Sequence, residues 1–278
     1  MISILVCSIS PNDFEKLELN ISETIGKNIK YEVLKFDNRL EKKGITSVYN
    51  YLASQAKYTN LLFIHEDISF GTTNWGEIIV ELLQRREFGV VGIAGSSYLP
   101  SMPSGWYLPF ETCNNVYIKQ GFKYSNKAVR FDNQGEDLTP VFLLDGVFLA
   151  IRKEVFTEFC FNEKLTGFHA YDVDICQRIS TRYQNIFTNR FEIFHQSEGK
   201  VDRDYFEAIL HSKLEYQNFK YGVRNRALEF AILKQLYFQL RCYYDKPICK
   251  AKLRPYIKIK YLGIKGLYSY FKMLRNDK

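Results

Sequence analysis

Short apolar runs alternate with amphipathic stretches along most of the chain. Each run has the length of a strand, and the stretches between the runs repeat apolar residues at helical spacing. This alternation predicts an α/β fold with a mostly parallel sheet flanked by helices. Residues 95–140 follow neither pattern, so we predict an irregular connection there that serves as a binding loop. The predicted strands are residues 2–9, 31–36, 60–64, 88–94, 141–144, 147–151 and 185–194.

Polar residues stand at the ends of the first three predicted strands. Ser8 ends the first, Asp37 the second, and His65-Glu66-Asp67 the third. In open parallel sheets, ligands bind beyond the carboxyl ends of the strands. We therefore expect a binding site at this edge of the sheet.

Positive charge is concentrated at the C-terminal end. The 278 residues carry a net charge of +7, whereas residues 241–278 contain 11 Lys and Arg against Asp245 and Asp277, a net +9. This leaves −2 (+7 less +9) for residues 1–240. Charge confined to a tail argues against a nucleic-acid-binding domain. Tyr, Phe and Ile interleaved with the basic residues favour contact with a membrane surface, and a solvated terminus is the alternative.

The cysteines and the missing motifs exclude several classes of protein. The six cysteines form no C-x-x-C pair, which argues against a zinc ribbon and fits a reducing, cytoplasmic location. No apolar run reaches the ~18 residues of a membrane span. The glycine-rich signatures of dinucleotide-binding enzymes and P-loop proteins and the nucleophile motif of α/β-hydrolases are missing.

Two groups of acidic and imidazole residues have the chemistry of a catalytic site. Asp67 at a strand end can hold Mg²⁺ or Mn²⁺, and a neutral His195 can complete the metal shell. Asp172 can act as a general base. The alternatives are a polar strand end, a structural histidine and a helix N-cap. Arg178 is predicted to pair with Asp174, one helical turn away.

The order of these pieces resembles the inverting GT-A glycosyltransferases of the family-2 type, in particular a StrF-like bacterial branch. The resemblance covers residues 1–200 as the transferase domain and leaves 201–278 as a helical, basic extension. The segments that carry it are Asn60-Leu-Leu-Phe-Ile-His-Glu-Asp67, Gly92-Ile-Ala-Gly95, Leu144-Asp-Gly-Val-Phe-Leu-Ala-Ile-Arg-Lys153, Gly167-Phe-His-Ala-Tyr-Asp-Val-Asp-Ile175 and His195-Gln-Ser-Glu-Gly199.

The resemblance implies a role for each matching position. Asp67 stands at the metal-binding end of the family's D-x-D motif, with His195 as a late metal ligand. Asp172 is the expected catalytic base, and because Tyr171 replaces the preceding Glu, Asp174 is an alternative. The implied nucleotide-binding residues are Ser8, Asp37, Asn50, His65 and Glu66. The implied acceptor or sugar contacts are Trp106, Asp145, Gly146, His169 and Asp174, although His169 is also placed to hold its own loop.

The reaction implied is transfer of a sugar, with inversion, from a nucleotide-diphospho-sugar to an acceptor hydroxyl, assisted by Mn²⁺ or Mg²⁺. The acceptor would be a glycan or a lipid-linked precursor of a bacterial surface polysaccharide. The enzyme would lie in the cytoplasm or on the inner face of the membrane. Three alternatives stay open: an inactive nucleotide-sugar-binding protein, a nucleotidyltransferase on a similar scaffold, and a basic membrane or nucleic-acid adaptor.

Overall fold

A computed structural model describes residues 1–122, 125–132, 136–197, 199, 201–215 and 224–277. Residue 198 of the predicted His195–Gly199 segment therefore lies outside the described residues. The strands are β1 (Ile2–Ser8), β2 (Tyr31–Asp37), β3 (Asn60–Ile64), β4 (Ile68–Phe70), β5 (Phe88–Gly92), β6 (Ala94–Ser96), β7 (Asn114–Phe122), β8 (Ser125–Asp132), β9 (Leu138–Val141), β10 (Leu143–Leu144), β11 (Phe148–Arg152), β12 (Gln184–Thr188) and β13 (Ile193–His195).

Helices separate most of these strands along the chain. They are α1 (Pro11–Thr24), α2 (Ile45–Gln55), α3 (Trp75–Gln84), α4 (Lys153–Phe159), α5 (Tyr171–Ile179), α6 (Arg203–Glu215), α7 (Arg226–Arg241), α8 (Lys246–Leu253) and α9 (Ile259–Asn276). No helix in the described ranges has both the length and the apolar content of a membrane span.

A seven-stranded sheet in the order β2-β1-β3-β11-β5-β12-β9 forms the centre of the fold. The pairs β1–β2, β1–β3 and β5–β12 are parallel, whereas β11 and β9 run antiparallel to their neighbours. A second sheet has the order β10-β6-β7-β13-β4, with β8 paired to β7. The predicted α/β class with flanking helices is confirmed, and the central sheet is mixed.

Alternating side chains of the central strands pack into two separate core layers. In β3, Leu62 and Ile64 face the layer covered by α1 and α3, whereas Leu61 and Phe63 face the layer covered by α2, α4 and α5. This two-residue period is what a strand buried on both faces requires. Because β1 is parallel to both β2 and β3, the carboxyl ends of these three strands lie together at one edge of the sheet.

The C-terminal helices build a third hydrophobic cluster. It joins α6, α7, α8 and α9 to Met102, Leu108 and Ala170 of the preceding region. Tyr256, Tyr261 and several other apolar residues of the basic tail are buried in it. The tail through residue 277 is therefore an ordered helical layer, and the predicted alternative of a solvated terminus is wrong.

The segment 95–140 departs most from the sequence prediction. It contains β7, β8 and β9 and a 3₁₀ turn at Glu111–Cys113, so the predicted irregular connection is wrong. Val116 and Ile118 are buried in an otherwise polar stretch, and so short an alternation forms no recognisable apolar run. The predicted strand 185–194 is likewise two strands, β12 and β13, which belong to different sheets.

Candidate active site

Strand register places the first polar residues side by side. β1 and β2 are parallel, and Ser8 lies opposite Asp37 at their carboxyl ends. β3 lies on the other side of β1 and leads directly into His65. Asp37 is exposed, and hydrogen bonds from Arg39 lower the pKa of its carboxyl to about 2. The predicted clustering of these strand ends at one edge is therefore present.

A short long-range strand pairing brings His195 to the same edge. β4 begins one residue after Asp67 and pairs antiparallel with β13, so that His195 lies opposite Ile68. The backbone N–H of Gln196 also donates to the carbonyl of Asp67 at 3.0 Å. These contacts fix His195 beside Asp67, although 128 positions separate them in the chain.

His65, Asp67 and His195 form a cluster with the composition of a metal site. One potential ligand atom from each lies within 4.8 Å of the other two. Burial, followed by the proximity of His195, lowers the pKa of His65, so its imidazole is neutral at pH 7. Burial opposes ionisation of Asp67, but its contact with the imidazole of His195 outweighs burial and lowers the pKa of the carboxyl. Neutral imidazole and ionised carboxylate are the forms in which histidine and aspartate side chains bind metal ions.

The contacts of the His195 ring with Gln120 and Asp67 fit a cation at this position. Nδ1 of His195 lies 3.3 Å from Oε1 of Gln120, and donation to that oxygen leaves Nε2 with its lone pair free. Nε2 is buried, makes no hydrogen bond within the described residues, and lies 3.4 Å from Oδ1 of Asp67. In this arrangement Nε2 of His195 and Oδ1 of Asp67 face each other as two acceptors. A cation between them would serve as the partner of both.

Tyr171 connects the start of α5 to this cluster. Its hydroxyl lies 3.0 Å from Nε2 of His65. Gly146 leaves the space that this hydroxyl occupies, because a Cβ at that position would lie 2.1 Å from the Tyr171 oxygen. The residue before the helix, Ala170, has a φ of 63°, a strained conformation for a residue with a side chain. The local backbone therefore holds Tyr171 against His65.

Asp172 follows Tyr171 and is oriented by two backbone donors. The N–H of Gly146 donates to Oδ2 at 3.0 Å and the N–H of Val173 to Oδ1 at 2.8 Å. Burial of the carboxyl, with the charge of Asp145 as a second cause, raises the pKa of Asp172 to about 7. The side chain keeps intermediate exposure. A carboxylate with this pKa and partial access is suited to act as a general base at neutral pH.

Asp145 and Tyr205 show that Asp172 and the histidine cluster share one region. The charge of Asp145 acts on the pKa of both His65 and Asp172. Burial raises the pKa of Tyr205, and the charges of Asp172 and Asp145 add to this effect. Asp67, His195 and Asp172, predicted from distant segments, are thus brought together.

Asp174 has a structural environment that does not fit a base. Its side chain is fully buried and accepts hydrogen bonds from Nε and Nη2 of Arg178 at 2.9 and 2.7 Å. Arg178 also donates to the carbonyls of Phe159 and Cys160. The predicted Asp174–Arg178 pair is confirmed. This pair ties α5 to the end of α4. Its burial and its pairing with Arg178 disfavour Asp174 as a base or a sugar contact, and those roles stay predictions.

Two predicted nucleotide contacts are also engaged elsewhere. Glu66 accepts hydrogen bonds from the backbone N–H groups of Ile9 and Ser10, at 2.9 and 3.1 Å, and so holds the loop after β1. Asn50 exchanges hydrogen bonds with the backbone of Phe161 at 2.9 and 3.0 Å and donates to Glu163. Both side chains therefore support neighbouring loops, and their contact with a nucleotide stays a prediction.

The remaining predicted substrate contacts lie around this region. Trp106 is partly buried and packs against both core layers, and this packing fixes the position of its side chain. His169 lies edge-on to Tyr205, with ring centres 5.6 Å apart, and its Nε2 is 3.8 Å from Oδ1 of Asp202. It lines a cavity of about 340 Å³ together with Leu165, Gly167 and His211. This position is compatible with either predicted role of His169.

Sequence comparison identifies the family. The profile described as "Glycosyltransferase like family" matches residues 3–210, three quarters of the chain. The chain belongs to this family. No curated protein sequence matches it. The finer StrF-like assignment stays a prediction.

Solved structures of glycosyltransferases share the fold at low sequence identity. Staphylococcus aureus TarS 1–349 with UDP has a TM-score of 0.54 at 12% identity, covering 100% of this chain and 92% of that one. The same protein with UDP-GlcNAc has a TM-score of 0.51 at 13% identity, with coverages of 98% and 81%. GalNAc-T7 with UDP, GalNAc and Mn²⁺ has a TM-score of 0.53 at 11% identity. The match covers 92% of this chain but only 54% of GalNAc-T7, about half its length. These likenesses establish the GT-A fold.

Sequence reasoning missed two residues of this glycosyltransferase-like site, Gln120 and Tyr205, and gave His65 and Tyr171 different parts in it. His65 was assigned to the nucleotide, yet it stands with the metal-type ligands. Gln120 and Tyr205 were not singled out, because nothing in their local sequence shows which distant residue each contacts. Tyr171 was noticed only as a departure from the family motif, and the structure gives it a partner in His65.

Proposed function

We propose that this protein transfers a sugar from a nucleotide-diphospho-sugar to an acceptor hydroxyl, with inversion and with the help of a divalent cation. The observation that supports this most is the gathering of His65, Asp67 and His195 next to Asp172. In this proposal, one part of the site binds the diphosphate side of the donor, and another removes a proton from the acceptor.

His65, Asp67 and His195 would hold the cation. When bound, it supplies positive charge that offsets the charge developing on the departing nucleoside diphosphate. Two imidazoles and one carboxylate suit Mn²⁺ better than Mg²⁺, which prefers an all-oxygen shell. Mn²⁺ is also present in the GalNAc-T7 structure. We therefore propose Mn²⁺ as the preferred ion.

Asp172 would take the proton from the acceptor hydroxyl as that oxygen attacks the anomeric carbon. The Gly146 and Val173 N–H groups orient its carboxylate and leave its remaining lone pairs for the substrate. Ser8 and Asp37, at the adjoining strand ends, would contact the nucleoside. Trp106 and His169 would contact the sugar or the acceptor and help exclude water.

The acceptor proposed is a glycan or a lipid-linked precursor of a bacterial surface polysaccharide, reached from the cytoplasmic face. This rests on the family and on the basic C-terminal region. Residues 1–200 are proposed as the transferase unit and 201–278 as its helical extension. The competing nucleotidyltransferase and non-catalytic sugar-nucleotide binder share the fold and differ in product.

A thermal-shift panel of nucleoside diphosphates and nucleotide sugars, with and without Mn²⁺, tests the binding half of the proposal. A ligand at about 100 times its Kd stabilises the native state by about 2.7 kcal/mol. We expect stabilisation that needs Mn²⁺ and is lost in Asp67→Asn. Glu18→Gln, an exposed carboxylate on α1, is the control and should respond like the parent.

Products distinguish the candidate functions. Release of a nucleoside diphosphate from a nucleotide sugar, dependent on acceptor, supports the transferase. Release of pyrophosphate from a nucleoside triphosphate would favour the nucleotidyltransferase. Donor binding with no turnover of any acceptor or of water would favour the non-catalytic binder.

A further inference from the structure

The last helix presents an apolar stripe to solvent. α9 bends at Gly263, whose φ is 64°, so residues 264–276 form a separate helix. Its inner side, with Tyr270 and Leu274, is buried in the C-terminal hydrophobic cluster. About 110° around the helix from that side, Ile264, Tyr268 and Phe271 are 76%, 67% and 53% exposed. Their spacing of four and three residues places them on one face.

Basic residues border this stripe. Lys265, Lys272 and Arg275 are exposed on the same helix. Helical spacing puts Arg275 in line with the stripe, one turn beyond Phe271, and puts the two lysines along one flank. No acidic residue occurs between Lys246 and Asn276. We call Ile264, Tyr268 and Phe271 with these three cations the α9 face.

The positive region extends past the start of α9. Nη1 of Arg224 donates to the carbonyl of Lys260 at 3.1 Å. Arg224, Arg226 and Lys260 line a wide, open cavity beside Tyr98. Further cations therefore lie at the amino end of α7, where Arg226 is next to the bend of α9 at Gly263.

The charges of the α9 face and the direction of its side chains indicate which kind of partner it binds. A two-fold dimer formed through this face would set the same cations against each other. The three stripe residues project outward from the helix, and none of them lines the cavity between α7 and α9, which is lined by Lys272 and Met273 among others. Aromatic and aliphatic residues flanked by lysines are typical of helices that lie in the lipid headgroup region. Anionic headgroups attract each nearby Lys or Arg.

We propose that the α9 face docks this protein on the surface of a bilayer containing anionic lipid. Ile264, Tyr268 and Phe271 enter the headgroup boundary, and Lys265, Lys272 and Arg275 contact lipid phosphates. This inference goes beyond the proposed sugar transfer and does not depend on it, because its test measures binding alone.

Co-sedimentation with vesicles tests the proposal on the full chain. We expect binding to phosphatidylcholine vesicles that contain phosphatidylglycerol, weak binding to phosphatidylcholine alone, and loss of binding at high salt. Each cation near the surface contributes about fivefold in affinity, so Lys265→Glu with Lys272→Glu should weaken binding more than tenfold. The control, Lys27→Glu with Lys30→Glu, makes the same change of net charge at exposed positions and should bind like the parent.

A second pair of variants tests the apolar contribution. Tyr268→Ser with Phe271→Ser should weaken vesicle binding, whereas Leu19→Ser with Tyr51→Ser, at exposed positions elsewhere, should not. All four side chains are exposed, and unchanged thermal unfolding confirms that each variant folds. The proposal is overturned if the parent does not bind anionic vesicles, or if the control pairs weaken binding as much as the α9 pairs. It is also overturned if an acidic polypeptide binds the α9 face while anionic vesicles do not.

Discussion

Replacing Asp172 by Asn should lower the rate of sugar transfer and, above neutral pH, increase the stability of the fold. The substitution keeps the size of the side chain and removes its ability to accept a proton. General bases contribute about 10²–10⁴-fold to rates. We expect sugar transfer by Asp172→Asn to fall by that factor, while binding of the donor with Mn²⁺ is retained because His65, Asp67 and His195 are unchanged.

The same change should stabilise the fold above neutral pH. Burial raises the pKa of Asp172 from its ordinary 3.8 to about 7, which corresponds to about 4 kcal/mol for a wholly enclosed carboxyl. Solvent access to the side chain reduces this, and Asn keeps only one acceptor for the N–H groups of Gly146 and Val173. We expect a net gain of about 1–2 kcal/mol at pH 8.

The pH dependence gives this prediction a sign that can be checked. The native state holds the Asp172 proton more tightly than the unfolded state does, so the destabilisation is complete above pH 7 and disappears as the pH falls towards about 4. Urea unfolding of parent and variant across this range measures the difference. Transfer by the parent should rise as the pH passes through about 7, where the base becomes ionised.

Two results would refute this reasoning about Asp172. Transfer by Asp172→Asn at the parental rate would remove the base assignment. Lower stability of the variant at pH 8 than at pH 5, relative to the parent, would show that the carboxylate is stabilising in its ionised form. Retained Mn²⁺-dependent donor binding is the control that the site is still assembled.

Three further substitutions test the surroundings of the site. Tyr171→Phe removes the hydroxyl next to His65 and should weaken Mn²⁺ binding about 10–100-fold, measured by titration calorimetry; an unchanged affinity would contradict the contact's role. Gly146→Ala places a methyl group against the Tyr171 hydroxyl and should lower the free energy of unfolding, measured with urea, by about 1–3 kcal/mol. Stability equal to that of the parent would mean that the loop can shift to make room for the methyl group. Asp174→Asn breaks a buried ion pair and should lower the free energy of unfolding by about 3 kcal/mol, with little change in the specific activity of the folded enzyme. A loss of turnover without loss of stability would instead support Asp174 as the base.

Much of the central sheet was predictable because its strands are buried on both faces. Continuous apolar runs such as Leu61–Ile64 mark these strands directly, and the polar residues that follow them mark the binding edge. The Asp174–Arg178 pair was predictable because residues four apart lie on one face of a helix. In each case the information lies within a few neighbouring residues.

The parts that could not be predicted depend on partners far away in the chain. β4 has three residues, and nothing local shows that its pairing with β13 will bring His195 to Asp67 and His65. Glu66 and Asn50 have side chains suitable for a nucleotide, but Glu66 accepts from backbone groups of a distant loop, and Asn50 is bonded to the backbone of Phe161 and the side chain of Glu163. The positions of polar residues in the sequence identified the correct edge of the sheet. Only the three-dimensional packing shows which of these polar side chains form hydrogen bonds within the protein.

Anomalous scattering at the manganese absorption edge, from crystals grown with Mn²⁺ and a nucleoside diphosphate, tests the central claim most directly. The account predicts a manganese peak in contact with His65, Asp67 and His195 and with the diphosphate. A bound nucleotide with no manganese peak among these three side chains, or a peak at other residues, would contradict it.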